Sequence, residues 1–517
     1  MPSAVSIRAS DTAVRPTGEH DDGVGELRAN VLDLVNLAGM SVSSVGPVFS
    51  IAAAVGPMIA IGFYQAPVGM LMAFVPFLIS ALVFRHLNRH IPNAGASYGW
   101  TFTALGPIFG LIQGWAMILA YFFSLLAIIV PAGTYTLTLL SPSLLTNTTA
   151  VSLVGSAWAI FAAIPLIWGI RPTARFTAVF LTVEVVVIGA FYVLGVGHIA
   201  LHGTVTSPAL SWFLPLHGFK FGHEVLVGVV AFTIVDGWEL DAHASEESKR
   251  RRTNPGTGGL IGLLAVTILY VMSFLLFFTV IPLRQLVAHQ NNVLAYFAQV
   301  VTGSAWGKLM IVGILASTAS GLWLTHFILN RTLFAMSRDG IISARVGRVH
   351  PKFLTPWLLV VIVTAAEVTV NTGLLISPTV SSFFNLVLQA AGLFLGVVFV
   401  FSNIAAVLYF RRVSTRNARH FVGLFVAPLL AVAGMVVLIA GFISQQKPGV
   451  DLSLALISFM AVPFIIQAKL RGVDVMTANR QLAVDFAHPE DDELHVAKGG
   501  QLQAHAHRHD MPARTEL

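Results

Sequence analysis

The chain has 517 residues, of which 56% are hydrophobic and 10% charged, and a mean hydropathy of +0.79. Soluble globular chains carry roughly 25% charged residues, so an ordinary soluble protein is excluded. The absence of cysteine also excludes a disulfide scaffold, a thiol enzyme and a thiolate metal site.

In chain order, residues 1–30 are polar and lack an apolar core of signal-peptide length, so they read as a cytoplasmic tail. The first membrane span then has to act as its own insertion signal. Twelve apolar runs follow, near 33–56, 66–85, 104–138, 150–169, 176–200, 223–244, 258–281, 306–330, 356–376, 380–410, 421–443 and 451–469. Most come close to the ~20 residues that cross a bilayer as a helix. The third and tenth are long enough to tilt or to hold extramembrane turns. The prediction is an all-helical polytopic membrane protein, with its membrane domain over 31–470. A polar, disordered cytoplasmic tail over 471–517 completes the chain. In that tail His505, His507 and His509 alternate, but an isolated triplet of this kind reads as inert rather than metal-binding. No metal or cofactor is expected.

Lysine and arginine set the orientation. With the N-terminus inside, 26 of the 30 fall on the inner side, and only Lys220, Arg284, Lys308 and Lys447 fall outside. This is the positive-inside pattern. It supports an even number of spans, both termini cytoplasmic and location in the cell membrane. It also explains the pI near 9.7 as topology, so no nucleic-acid partner is expected.

Two runs break the rules for lipid-embedded helices. The first contains Gly39-Met40-Ser41-Val42-Ser43-Ser44-Val45-Gly46-Pro47, in which proline removes a backbone donor and glycine loosens the helix. Either a proline kink with close-packed small residues or a binding-site break fits that stretch. The sixth places Asp236, Glu239 and Asp241 around Gly237, too close to His223 for a helix to have crossed already. The helix must therefore continue past these acids, with Asp236 deep in the membrane. Interrupted spans at matching positions of two halves point to a transporter site at the breaks. Glu184 lies near mid-bilayer in the fifth run, in either coupling or a hydrogen-bonded packing role. For Glu367 the structural reading is favoured. Acids without deep lysine or arginine suit a proton, a sodium ion or an ammonium group.

Four stretches resemble the amino acid–polyamine–organocation (APC) superfamily of permeases. They are FTIVDGWELDAHASEESKRRRTNP (232–255), RHLNRHIPNAGASYGW (85–100), GLIQGWAMILAY (110–121) and NRTLFAMSRDGIISARVGRVHPKFLTP (330–356). The resemblance implies a leucine-transporter-like fold with spans 1–5 (about 31–200) and 6–10 (about 220–410) as inverted repeats. Spans 11 and 12 (about 421–469) are then additions. It implies secondary active transport of amino acids or related organic amines by alternating access, with a polyamine or ethanolamine type of amine permease as the alternative. By position, the substrate's carboxylate end falls on Ser43, Ser44, Val45, Gly46 and Pro47. Its ammonium and side-chain end falls on Phe232, Thr233, Ile234, Asp236 and Gly237. Pro47 departs from the family's Gly-Ser-Gly-Ile-Phe pattern and removes one N–H that a carboxylate would use. Glu239 aligns with a proton-sensing glutamate of some members. Proton coupling through Glu239 or Glu184, or substrate exchange, is preferred to a sodium site at Ser317, Thr318 and Ser320.

Rival readings fit less well. A major facilitator would have a long central loop and a basic motif between spans 2 and 3. A membrane-embedded enzyme would gather its histidines at one face, and here they are scattered. A channel would share the helix breaks but differ in showing unitary currents.

Overall fold

A computed structural model describes residues 24–215, 219–459 and 462. Among them the regular structure is all helix, apart from one backbone bridge between Leu32 and Ser248. Nine helical stretches are long and apolar enough to cross a membrane, so this is a multi-pass membrane protein. Residues 1–23, the end of the twelfth apolar run and the histidine-containing tail lie outside the described residues.

The helices that carry the argument are α1 (Leu34–Val45), α2 (Pro47–Gly62), α3 (Ala66–His90), α4 (Pro107–Leu140), α5 (Thr148–Trp168), α6 (Ile170–His202), α7 (Phe221–Phe232), α8 (Leu240–His243), α9 (Asn254–Val280), α10 (Ser304–Arg338), α11 (Trp357–Asn371), α12 (Val380–Tyr409), α13 (Ala427–Ser444) and α14 (Pro448–Ser458). Helix α4 is central, with α5, α10 and α12 against it; α1 packs on α9, while α2 and α3 pack on α7.

Between helices in a bilayer, close packing replaces the hydrophobic effect as the main attraction. Glycine in α9 makes that packing possible. A Cβ at Gly258 or Gly262 would stand 2.1 Å from Asp241 or Ser41. At the periphery, Val179, Val186 and Val193 of α6, seven residues apart, form one exposed apolar face. Glu184, Val187 and Phe191 of the same helix are buried.

Three expectations need correction. The third run is divided near its start: Ala104 and Leu105 end the preceding helix, Gly106 turns at φ 97°, and one continuous helix then runs from Pro107 to Leu140. The eighth run extends beyond 330 to Arg338, which puts Arg331 and Arg338 on the helix itself. The sixth run is not carried past its acids as a helix. It stops at Phe232, and one turn re-forms only at Leu240–His243.

Candidate functional site

The interruption in the first span is narrower than the nine residues from Gly39 to Pro47. Helix α1 runs unbroken to Val45, and Gly46 alone leaves helical geometry, at φ 60° and ψ 65°. Glycine tolerates that left-handed conformation without steric cost. Pro47 then occupies the first position of α2, where a missing N–H costs nothing and the fixed φ suits the helix. The proline starts a helix here; it does not kink one.

The donors at the head of α2 are taken by the protein. The Val48 N–H donates to Glu184 Oε1 at 3.0 Å. The Phe49 N–H donates to Ser317 Oγ at 3.1 Å, and that hydroxyl donates in turn to Glu184 Oε1 at 2.7 Å. The leading N–H groups of a helix have no partner within it, and a side-chain acceptor placed there satisfies them. Glu184 thus ties α6 and α10 to the start of α2.

The interruption in the sixth span is wider. Residues 233–239 are non-helical, with Gly237 at φ 102°. A Cβ on Gly237 would lie 2.7 Å from Ser44 Oγ and 2.9 Å from its carbonyl carbon, so the two interruptions touch at this glycine. Glu239 folds back over the gap. One of its oxygens accepts the Gly237 N–H at 3.0 Å and the other accepts the Tyr121 hydroxyl of α4 at 2.8 Å. Asp236 is partly exposed and accepts the Ser124 hydroxyl at 3.1 Å.

A cavity of about 30 Å³ lies between the interruptions, lined by Ser44, Val45, Gly46, Thr233, Ile234 and Asp236 together with residues of α4, α10 and α12. Next to it is a cavity of about 630 Å³ that reaches exposed Asn291 and Lys447. The two share Phe49, Thr233, Ile234 and Leu388 as a common partition. The larger cavity is a vestibule, and the partition is its floor.

The end of the molecule where lysine and arginine concentrate is closed. Arg331 makes a two-pronged pair with Glu247, at 2.9 and 2.8 Å, almost wholly buried. Arg338 makes a second such pair with Glu246, which also accepts the Ala94 N–H at 2.9 Å. Burial alone would raise the Glu246 carboxyl, but the charge and hydrogen bonds of Arg338 override it and hold it below the usual range. Backbone bonds from Val31 and Leu32 to the Glu247 carbonyl strap the N-terminal segment across this face.

Of the residues expected from sequence, Ser44, Val45, Gly46, Thr233, Ile234 and Asp236 reach the small cavity, whereas Ser43, Pro47, Phe232 and Gly237 do not line it. Phe232 packs against Phe77 and Phe442, with ring centroids at 5.3 and 6.0 Å. Thr318 spends its hydroxyl on the Ile314 carbonyl of its own helix at 2.7 Å. Ser320 donates to the Ser317 carbonyl at 3.0 Å and lies 3.5 Å from the Ser43 carbonyl. Glu367 faces His326 of α10 at 3.3 Å, both fully buried. Ser124, Thr325 and Leu388 line the cavity without having been singled out. Ser124 alone left a trace in the sequence, as a lone hydroxyl in the apolar run after Tyr121.

Comparison with known proteins agrees in kind. The family described as amino acid permease matches residues 32–466. A methylthioribose transporter of Bacillus subtilis is 24% identical over 341 residues, covering 63% of this chain and 70% of that protein. The branched-chain amino acid permease BcaP of the same organism is 24% identical over 324 residues, covering 59% and 65%. The low-affinity putrescine importer PlaP of Escherichia coli is 27% identical over 378 residues, covering 70% and 77%.

Proposed function

The chain belongs to the amino acid permease family, and from that premise we propose that it is a secondary active transporter of amino acids or related organic amines, working by alternating access. The observation that carries this reading is the vestibule, whose floor is also the roof of a small cavity between two interrupted helices. Ion pairs close the opposite end. Such an arrangement suits a carrier open to one side and sealed to the other. The relatives named are an amino acid permease, a putrescine importer and a methylthioribose transporter, so kinship leaves the substrate open.

In this reading residues 31–470 form twelve crossings, with spans 1–5 and 6–10 as inverted repeats, spans 11 and 12 added, and both tails cytoplasmic in the cell membrane. The vestibule then faces outward. Substrate enters it, displaces the floor at Phe49, Ile234 and Leu388, and meets Asp236 beside Ser44 and Thr233. The ion pairs of Arg331 and Arg338 separate when the inner face opens. Glu239 is the proton-coupling group. Protonation adds a donor to one of its oxygens, so the bonds rearrange: the Tyr121 hydroxyl turns from donor to acceptor, or the Gly237 N–H is released. Glu184 supports the same step through α2, and sodium at Ser317, Thr318 and Ser320 is the lesser alternative.

The test is uptake or exchange of radiolabelled amino acids and amines by the purified protein in liposomes, with a competition panel of the twenty amino acids, polyamines and ethanolamine. Saturable, competable flux without unitary currents is expected. If no compound on the panel is transported or competes, the permease reading fails.

A further inference from the structure

Protonation of Glu239 leaves one hydrogen in need of a partner. The Tyr121 hydroxyl donates to Glu239 Oε1 at 2.8 Å. When that oxygen takes a proton and donates instead, the hydroxyl has to turn its own hydrogen toward another acceptor. An unmet acceptor stands one helical turn further along. His243 lies four residues beyond Glu239, at the end of the short helix α8. Its ring is set at 82° to the Tyr121 ring, with centroids 6.2 Å apart.

The tautomer of His243 follows from its one bond. Nδ1 lies 2.9 Å from the Ala94 carbonyl oxygen, which can only accept, so Nδ1 carries the hydrogen and Nε2 the lone pair. Nε2 is buried and has no hydrogen-bond partner among the described residues. A buried acceptor left unmet is costly. The same Ala94 also touches the inner seal: its N–H donates to Glu246 Oε1 at 2.9 Å, and Glu246 is paired with Arg338. His243 thus stands between the coupling glutamate and the ion pairs that close the basic end.

Few other titratable groups face it. Asp241, on the same turn, lies against Gly258 of α9. Arg331 of α10 reaches the ring with its charge but is held by Glu247, and His326 of the same helix faces Glu367. Helix α1, which also packs on α8, has no titratable side chain, and α9 has only Tyr270, which packs on Phe74 of α3.

We infer that His243 is the proton acceptor on the inner side of Glu239, and that the Tyr121 hydroxyl passes the proton between them. Glu239 Oε1 gives its proton to the Tyr121 oxygen while the hydroxyl hydrogen moves to His243 Nε2, directly or through one water. A carboxylate, an intact phenol and an imidazolium result. The imidazolium keeps its Nδ1 bond to Ala94 and holds the proton beside the seal, from which it leaves when the pairs of Arg331 and Arg338 separate. The inference rests on the reading of Glu239 as the coupling group and names where its proton goes.

The test is proton entry into liposomes, read by a trapped pH-sensitive dye. The driving compound is the member of the amino acid and amine panel that the wild type transports fastest. The full-length protein is compared with Tyr121→Phe and with His243→Asn, whose amide N–H replaces the donor to Ala94 but offers no basic nitrogen. Each variant is expected to lower substrate-driven proton entry by about tenfold or more. The pH profile of uptake should flatten, with equilibrium binding of the same compound within about twofold of wild type. Added to Glu239→Gln, His243→Asn should change nothing further, because the groups act in series. Unchanged proton entry in either His243→Asn or Tyr121→Phe overturns the inference and leaves the role of Glu239 standing, and so does a loss that adds to that of Glu239→Gln. A wild type that carries substrate without protons, or a panel in which nothing is transported, overturns the underlying reading and this inference with it. Tyr121→Phe keeps the test decisive if His243→Asn does not fold.

Discussion

The first and sixth spans are both interrupted by glycine, yet one interruption is a single residue and the other spans residues 233–239. The difference lies in what satisfies the freed backbone. At the first, Pro47 restarts the helix at once and Glu184 and Ser317 occupy its leading N–H groups. At the sixth, Glu239 captures the Gly237 N–H, while the N–H groups of Val235 and Trp238 and the carbonyls of residues 232–235 have no backbone partner. Unsatisfied backbone in a membrane is tolerated only against protein or a wet cavity, and the small cavity lies at this segment. A break whose donors are all taken fixes geometry; a break with both donors and acceptors to spare is where a ligand can bind.

The largest expected effect strikes the anchor below the open break. Arg331→Ala leaves Glu247 buried without its partner, a change worth about 3–5 kcal/mol, and the melting temperature should fall sharply. Next, the glycines separate the two breaks directly. Gly237→Ala combines a strained φ with contacts under 3.0 Å to Ser44, whereas a Cβ at Gly46 comes no closer than 3.2 Å to Ser317. Thermal unfolding should show Gly237→Ala costing about 1–3 kcal/mol more than a strain of the Gly46 kind alone; equal losses would mean the breaks are packed alike. Asp236→Asn should weaken cationic ligands by about tenfold, or ~1.4 kcal/mol, in binding assays, with neutral competitors little changed. Glu239→Gln should flatten the pH dependence of uptake while binding persists, and an unaltered profile would remove Glu239 from coupling. The smallest effect concerns Glu246. Because its folded carboxyl titrates below the usual range, its stabilisation is complete at neutral pH and is lost only as acid protonates it. Melting curves should show that acid-side loss in the wild type and not in Arg338→Ala.

Much of this was legible in the sequence because a bilayer forces it. Long apolar runs, the basic loops and the glycine at each break follow from length, charge and backbone rules, and the runs at 104–138 and 150–169 correspond largely to α4 and α5. The extent of each break was not legible. Proline starting a helix and proline kinking one look alike in sequence, and the choice at Pro47 is made by the turn at Gly46. Partners across the bundle were hidden for a different reason. Glu184 meets Val48 over 136 positions, and Glu367 meets His326 only through helix packing. Thr325 and Leu388 sit in helices whose sequence marks no one position as facing the cavity, so only the assembled bundle identifies them.

The central claim is that substrate lies between the two breaks and is reached through the vestibule. The natural chain has no cysteine, so one introduced thiol reports on one position. In Ile234→Cys, a membrane-impermeant thiol reagent applied from the vestibule side should modify the protein. A transported substrate present at ten times its Kd should slow that reaction by about tenfold. Modification that proceeds at the same rate with the site occupied, or that occurs only from the opposite side, would contradict the account.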